Sequence, residues 1–137
     1  MIKKFIDKWN KNKDKLEEYF RTHKQEDYDE YEKIVKLVFQ YVINDEENEH
    51  NLFDIDKIRV IDDGYYQGTQ IFIISRKTYI PDITDYVYTH NYYGSCSGCD
   101  TLLSISEYSD DIPDENQVKD YMLLSLHLIE NMRYMEE

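Results

Sequence analysis

The spacing of apolar residues changes twice along this chain, and these changes decide which folds it can adopt. Up to about residue 42 the apolar residues recur at intervals of three and four, which is typical of amphipathic helices. Between residues 57 and 93 they fall in short runs rich in Ile, Val and Tyr, which are typical of strands. Helical spacing returns after Pro113. The order predicts an α+β domain built on a small antiparallel sheet.

Both ends of the chain are predicted to be helical. The first helix has a single apolar face, made by Ile2, Phe5, Ile6, Trp9, Leu16 and Phe20. A second helix follows, with an apolar stripe of Tyr31, Ile34, Val35, Val38 and Val42. The last helix opens at Pro113 and Asp114, with Gln117 placed to complete a capping box. Because His127 lies among leucines on that helix, we expect a core residue there rather than a catalytic base.

Three strands are predicted between these helices. Residues 57–62 and 69–75 read as a hairpin around the turn residues 63–68, and residues 84–93 supply the third strand. Residues 100–107 suggest a short helix after the cysteine pair. The prediction is therefore two N-terminal helices, a three-stranded antiparallel sheet, a short helix and a long C-terminal helix. Residues 1–137 form one domain, with a basic helix over 1–24 and an acidic body over 26–137.

The net charge of -13 is unevenly distributed. Residues 1–25 hold eight Lys and Arg against four Asp and Glu, a balance of +4, whereas the remainder holds eight against 25, a balance of -17. Nucleic-acid binding draws most of its strength from Lys and Arg, so direct binding of DNA or RNA is disfavoured. An acidic field instead favours a basic protein surface as partner, although a merely well-solvated surface is the alternative.

Two groups of residues are predicted to contact such a partner. The first is the acidic stretch after the second helix, with Asp45, Glu46, Glu47 and Glu49. The second is the tyrosine-rich face of the third strand, which carries Tyr86, Tyr88, His90 and Tyr92. Tyrosine supplies rigid, amphipathic contact area, so Tyr86 and Tyr88 are assigned to partner binding. A helix packing across the strand, or a homodimer, would use the same side chains.

The N-terminus has no apolar run of the kind that follows the basic start of a signal peptide, and no stretch approaches the ~18 apolar residues needed to span a bilayer. We therefore expect no membrane association and a location in the cytoplasm. Thiols are normally reduced in that compartment, so a Cys-x-x-Cys pair there indicates metal or redox chemistry more often than a disulfide.

The chemistry-bearing residues are concentrated in one joint, residues 92–101, which holds both cysteines. Cys96 and Cys99 have the spacing that lets two thiolates reach one zinc ion. His90 lies upstream, and Asp100, His50 or His127 would have to supply the fourth ligand. The predicted metal set is His90, Cys96, Cys99 and Asp100, although no second ligand pair completes a zinc signature. We expect no cofactor by default, with zinc as the ion that this set could bind.

Three other interpretations of the joint stay open. A helix N-terminus lowers the pKa of a cysteine, which would suit a thiol redox protein, although the charge of Asp100 opposes this. Gly94 and Gly98 could expose backbone amides to a phosphate or nucleotide, with Ser95, Ser97 and Thr101 as further donors. Finally, the glycines could permit a tight turn, the cysteines could pack as small hydrophobes, and Ser97 or Asp100 could cap the next helix.

Three segments resemble a family of small proteins encoded by bacteriophages and prophages. They are residues 63–69, residues 93–102 with the motif Tyr-Gly-Ser-Cys-Ser-Gly-Cys-Asp-Thr, and residues 121–128. The resemblance covers roughly residues 30 to 135 and excludes the basic first helix. It implies no catalytic residue, since no activity is assigned to the family. What it implies is a phage-type accessory protein that acts inside a bacterium.

These observations favour a non-enzymatic protein that acts by protein–protein interaction. Its partner would be the basic surface of a host or defence protein, which the acidic body would engage by imitating nucleic-acid charge. The alternative is a small metal- or nucleotide-binding module centred on Cys96 and Cys99. No catalytic residue is predicted for either function.

Overall fold

In the computed structural model, residues 2–25, 30–64, 67–94, 100–106 and 111–136 are described. Within these ranges the fold is α+β, with four α-helices and a four-stranded antiparallel sheet. In chain order the elements are α1 (Ile2–Thr22), α2 (Tyr31–Val38), β1 (Arg59–Asp62), β2 (Gly68–Ser75), β3 (Tyr86–Tyr93), α3 (Thr101–Ser106), α4 (Glu115–Glu130) and β4 (Arg133–Tyr134). The predicted class is confirmed at this level.

The sheet has the strand order β1-β2-β3-β4, and all neighbours are antiparallel. The predicted hairpin is present, with Arg59 opposite Ile73 and Asp62 opposite Gln70. Strands β1 and β3 begin later than predicted, because residues 55–57 and 83–85 form short 3-10 turns. Asp82 caps the second of these turns.

The sheet has a fourth strand, so the prediction of three strands was wrong. Strand β4 contains only Arg133 and Tyr134, which pair with Tyr88 and Val87 of β3. Two residues cannot display the alternation by which a strand is detected in sequence. The strand forms because the chain leaves α4 at Asn131 and returns along the edge of β3, where the Met135 amide donates to the Tyr86 carbonyl at 2.9 Å.

The helices pack on one face of the sheet, and the buried residues of the described ranges form a single core. Phe72 and Ile74 of β2 and Val87 of β3 are buried on this face, which we call the inner face. The rings of Phe20 in α1 and Tyr121 in α4 stack at 4.8 Å, and Phe5 stacks on Tyr134 of β4 at 5.3 Å. Each fully buried side chain of this size contributes roughly 1.5 to 3 kcal/mol. The basic first helix is thus part of the same core as the acidic body.

Helix α2 widens into a π-helical turn over residues 39–43, where the Asn44 amide donates to the Phe39 carbonyl at 2.8 Å. The Asn44 side chain then bonds the backbone of Phe53 in both directions, at 3.0 and 2.8 Å. These two hydrogen bonds anchor the following acidic loop to the end of the sheet.

Helix α4 begins with the predicted capping box between Asp114 and Gln117. The residues of α4 that recur at helical spacing, Val118, Tyr121, Met122, Ser125 and Ile129, are buried, and so is Met132 just beyond the end of the helix. The prediction for His127 was wrong, because its side chain is exposed. Leucines flank it in sequence, but at 3.6 residues per turn neighbours in sequence point in different directions.

Candidate functional site

The face of the sheet opposite the helices is the candidate site, and we call it the open face. Side chains alternate between the two faces of a strand, and opposed residues share a face. The open face therefore carries Arg59, Ile61, Thr69, Ile71, Ile73, Ser75, Tyr86, Tyr88, His90, Tyr92 and Arg133. None of these side chains is buried, whereas Phe72, Val87 and Thr89 on the inner face are 0% exposed.

The centre of the open face is apolar and aromatic. Ile71 and Ile73 of β2 lie opposite His90 and Tyr88 of β3, and Ile61 of β1 is 46% exposed. An antiparallel sheet with one solvated face normally alternates apolar inward and polar outward residues. This sheet carries large apolar side chains outward as well, and a contiguous patch of this kind is typical of an interaction site.

The charge of the open face is opposite to that of the chain. It carries no Asp or Glu, although the chain holds 29 of them. Its charged side chains are Arg59 on β1 and Arg133 on β4, at the two edges of the sheet. The open face thus combines an apolar centre with basic edges.

The two groups of predicted partner-binding residues lie in different places. Tyr86 and Tyr88 are on the open face. Asp45 and Glu46 lie instead on the helical side, where the Lys8 ammonium of α1 contacts them at 2.7 and 3.2 Å. The structure therefore does not bring the tyrosines and these two acids onto one surface.

Asp45 is tied into the fold by its neighbours. Besides Lys8, Asn12 of α1 donates to its carboxylate at 2.9 Å, and Asn12 also donates to the Val42 carbonyl at 2.9 Å. Burial would raise the pKa of Asp45, but the hydrogen bonds from Lys8 and Asn12 and the Lys8 charge outweigh it and lower that pKa to about 2. Asp45 therefore stabilises the contact between α1 and the loop.

The remaining two acids of the predicted set, Glu47 and Glu49, are exposed. Within the described ranges, neither takes part in an ion pair. Of the four predicted acids, these two are the ones that present an uncompensated charge to solvent.

The structure does not bring together His90 and Asp100, the two described members of the predicted metal set. Cys96 and Cys99 lie outside the described residues. His90 is on the open face, whereas Tyr93, which lines a cleft beside Asp100, belongs to the inner face of the same strand. His90 and Asp100 are thus on opposite sides of β3. In the part of the chain that is described, no cluster of three potential ligands could hold a metal ion.

Asp100 is a helix cap, which was one of the two roles, cap or metal ligand, that the sequence suggested for it. It is buried, and its carboxylate accepts hydrogen bonds from the Leu103 amide at 3.1 Å, the Gly94 amide at 2.8 Å and the Tyr31 hydroxyl at 2.8 Å. It thereby caps α3 and ties the first turn of α3 to Gly94, the residue that follows β3. Both carboxylate oxygens are occupied by these donors, which fits a helix cap better than a metal ligand.

Tyr31 is a residue whose role the sequence did not reveal. Its hydroxyl donates to Asp100 and accepts from the Leu102 amide at 3.1 Å, so one side chain of α2 anchors the first turn of α3. Burial raises the pKa of Tyr31, which keeps the hydroxyl a neutral donor. Tyr31 and Asp100 are 69 residues apart in the sequence, and the pattern that includes Tyr31 there is the helical spacing of apolar residues.

A polar cleft of about 280 Å³ lies beside this joint. The Tyr93 hydroxyl donates to Asp62 at 2.6 Å, and the Gln70 amide donates to the same carboxylate at 3.2 Å. The hydrogen bond with Asp62 raises the pKa of Tyr93 to about 12 and lowers the pKa of Asp62. These groups satisfy one another, so a ligand in the cleft would have to compete with their existing bonds.

Comparison with protein-family models, curated proteins and solved structures returns no significant match for this chain. Among the described helices, none combines the length and the apolar character needed to cross a bilayer. The functional argument therefore depends on the surfaces themselves.

Proposed function

We propose that this protein acts by binding another protein through the open face. The observation that carries the proposal is an apolar and aromatic sheet face, free of carboxylates, on a chain with a net charge of -13. Tyr88 lies at its centre, Tyr86 lies at the end of the sheet opposite Ser75, and Tyr92 is 53% exposed. Aromatic residues and arginine are enriched in protein interfaces, whereas Asp and Glu are depleted.

The size of the open face supports an interface centre rather than a whole interface. Four strands about 4.8 Å apart, with four, eight, eight and two residues, cover a projected area of roughly 350 Å². A standard interface buries about 800 Å² on each partner. Neighbouring loops would supply the remaining area as a rim.

Aromatic side chains on an open sheet are also used to stack bases, so a single-stranded nucleic acid is the competing ligand. Two observations disfavour it. Ile61, Ile71 and Ile73 offer aliphatic surface rather than stacking platforms, and the charge of -13 repels a phosphate backbone.

The resemblance to phage and prophage proteins supports a more specific version of the proposal, in which the partner is a host or defence protein of a bacterium. Imitation of nucleic-acid charge is a second candidate function, favoured by the exposed and uncompensated Glu47 and Glu49. Its surface would be the acidic loop instead of the open face. Charge reversal at both glutamates should abolish binding under this second candidate and leave it unchanged under the first.

Site-specific photo-crosslinking tests the proposal. p-Benzoylphenylalanine replaces Tyr88 or Tyr92 in the full chain, and the matched control carries it at Leu123, which is 53% exposed on α4. After irradiation in bacterial host cells, we expect one crosslinked protein from the open-face positions and none from the control. The Ile71→Asp variant should reduce that product roughly tenfold or more, since it places a charge in the apolar centre.

Circular dichroism of each variant shows whether the fold is retained. Products that are equal at positions 88 and 123 would contradict the proposal, as would crosslinks to nucleic acid. A crosslink to a second copy of the chain would mean that the open face serves a homodimer instead of a partner protein.

A further inference from the structure

A second surface, independent of the open face, lies in the loop between β2 and β3. Three of its side chains are large, apolar and exposed: Tyr79 at 98%, Ile80 at 78% and Ile83 at 51%. We call them the loop tip. Single exposed apolar residues are common on protein surfaces, but three within five positions, two of them almost fully exposed, form a protruding apolar group.

Hydrogen bonds fix the backbone at the base of this loop, so the fold itself holds the tip in an exposed position. The Arg76 amide donates to the Asp85 carbonyl at 3.0 Å, and the Lys77 amide donates to the Leu52 carbonyl at 2.8 Å. Asp82 and Asp85 form a capping box across the 3-10 turn that ends the loop. Pro81, within the loop, has a fixed φ angle.

The Arg76 side chain also fixes the base of the loop. Its guanidinium lies over the rings of Phe53 and Tyr134, at 5.0 and 5.6 Å from their centres, and donates to the Thr84 carbonyl at 3.4 Å. Cation–π contacts of this kind attract the guanidinium to the ring faces and hold it in place. The loop is thereby joined to the core through β4 and through the residues that follow α2.

A tip that is already ordered loses little conformational entropy on binding, which is the property of a preorganised binding element. Its convex, aliphatic and aromatic shape requires a concave apolar site. The loop spans residues 76–85. Arg76 and Lys77 at its base are half-buried, and Arg76 lies 4.0 Å from Asp85, whereas Asp82 beside the tip is exposed. Glu49, next to the base of the loop through the contact of His50 with the Lys77 carbonyl, is also acidic and exposed.

From this geometry we infer that the loop tip inserts into an apolar pocket of a partner protein, and that Lys and Arg residues border the pocket. Tyr79 and Ile80 fill the pocket, and Asp82 faces its basic border. Membrane insertion is the alternative use of such a tip. Carboxylates beside the tip and a net charge of -13 oppose approach to an anionic bilayer.

The test uses the full chain with p-benzoylphenylalanine in place of Tyr79, irradiated in a lysate of the host bacterium. We expect one crosslinked protein whose attachment site maps to a pocket flanked by Lys or Arg. The Ile80→Asp variant should lower the yield roughly tenfold or more, and Asp82→Lys should lower it several-fold. The matched control is Asp120→Lys on α4, which makes the same change at another exposed position and should leave the yield unchanged.

Each other outcome overturns the inference. No crosslink, a yield indifferent to Ile80→Asp and Asp82→Lys, or attachment to a second copy would exclude this pocket-binding role. Cosedimentation with phosphatidylcholine or phosphatidylglycerol vesicles, lost in Ile80→Asp, would assign the tip to a membrane. Since positions 79 and 88 are probed separately, failure of the tip and failure of the open face are distinguishable.

Discussion

Replacement of Asp45 by Asn tests whether the acidic loop stabilises the fold rather than serving only as a charged surface. The substitution keeps the size of the side chain but removes the charge that Lys8 contacts at 2.7 Å and Lys11 at 3.4 Å. Without Asp45, Lys8 would have Glu46 as its remaining counter-charge. Water would compensate little for the lost contact, because the Lys8 side chain is only 12% exposed. We therefore expect Asp45→Asn to destabilise the protein at neutral pH.

The magnitude follows from the pKa of Asp45, which falls from its ordinary value of 3.8 to about 2 in the folded chain. A difference of nearly two pH units corresponds to roughly 2.4 kcal/mol, and partial solvent screening reduces it to about 1 to 2 kcal/mol. Because the folded-state pKa is the lower one, this stability is complete above about pH 4. It is lost as the pH falls through about 2.

Urea unfolding followed by fluorescence of Trp9 measures the effect, since Trp9 is the single tryptophan and is buried in α1. The free energies of unfolding of the natural chain and of Asp45→Asn should differ by about 1 to 2 kcal/mol near pH 7, and this difference should fall to about a third near pH 2.5. Glu47→Gln, in the same loop but exposed, is the matched control and should stay within about 0.5 kcal/mol of the natural chain. A difference that is equal at both pH values would refute the reasoning.

Three further substitutions test the buried contacts. Tyr31→Phe removes the donor to Asp100, and we expect a loss of about 2 to 3 kcal/mol in the free energy of unfolding, because a buried carboxylate loses a hydrogen bond. Thr89→Val keeps the shape but removes the bond to the Leu128 carbonyl at 2.7 Å, which should cost about 1 to 3 kcal/mol. Asp114→Ala removes the cap of α4 and should cost about 1 kcal/mol. Urea unfolding at neutral pH measures all three.

The controls are Tyr92→Phe and Asp120→Ala, which make matching changes at exposed positions and should each stay within about 0.5 kcal/mol of the natural chain. If Tyr31→Phe were as stable as Tyr92→Phe, the anchoring role of Tyr31 would be wrong. The roles assigned to Thr89 and Asp114 would fail in the same way if their variants matched the natural chain.

Local patterns in the sequence determined the helices and the hairpin. The apolar residues of α1, α2 and α4 repeat at helical spacing, and Asp114 with Gln117 marks the start of the last helix. The turn at Asp63 and Gly64 separates two runs rich in Ile and Val, which pair as predicted. These features depend on residues within a few positions of one another, so a single sequence displays them.

The tertiary structure alone decided which face of the sheet is covered. Strand β2 is apolar on both faces, with Phe72 and Ile74 on one and Ile71 and Ile73 on the other, so alternation cannot tell which face the helices bury. It also decided that Asp45 and Asp100 are held inside the fold, by partners 37 and 69 residues away. The sequence shows that a carboxylate is present but not whether it faces solvent or a buried donor. Its partners are decided by packing between segments that are distant in the sequence.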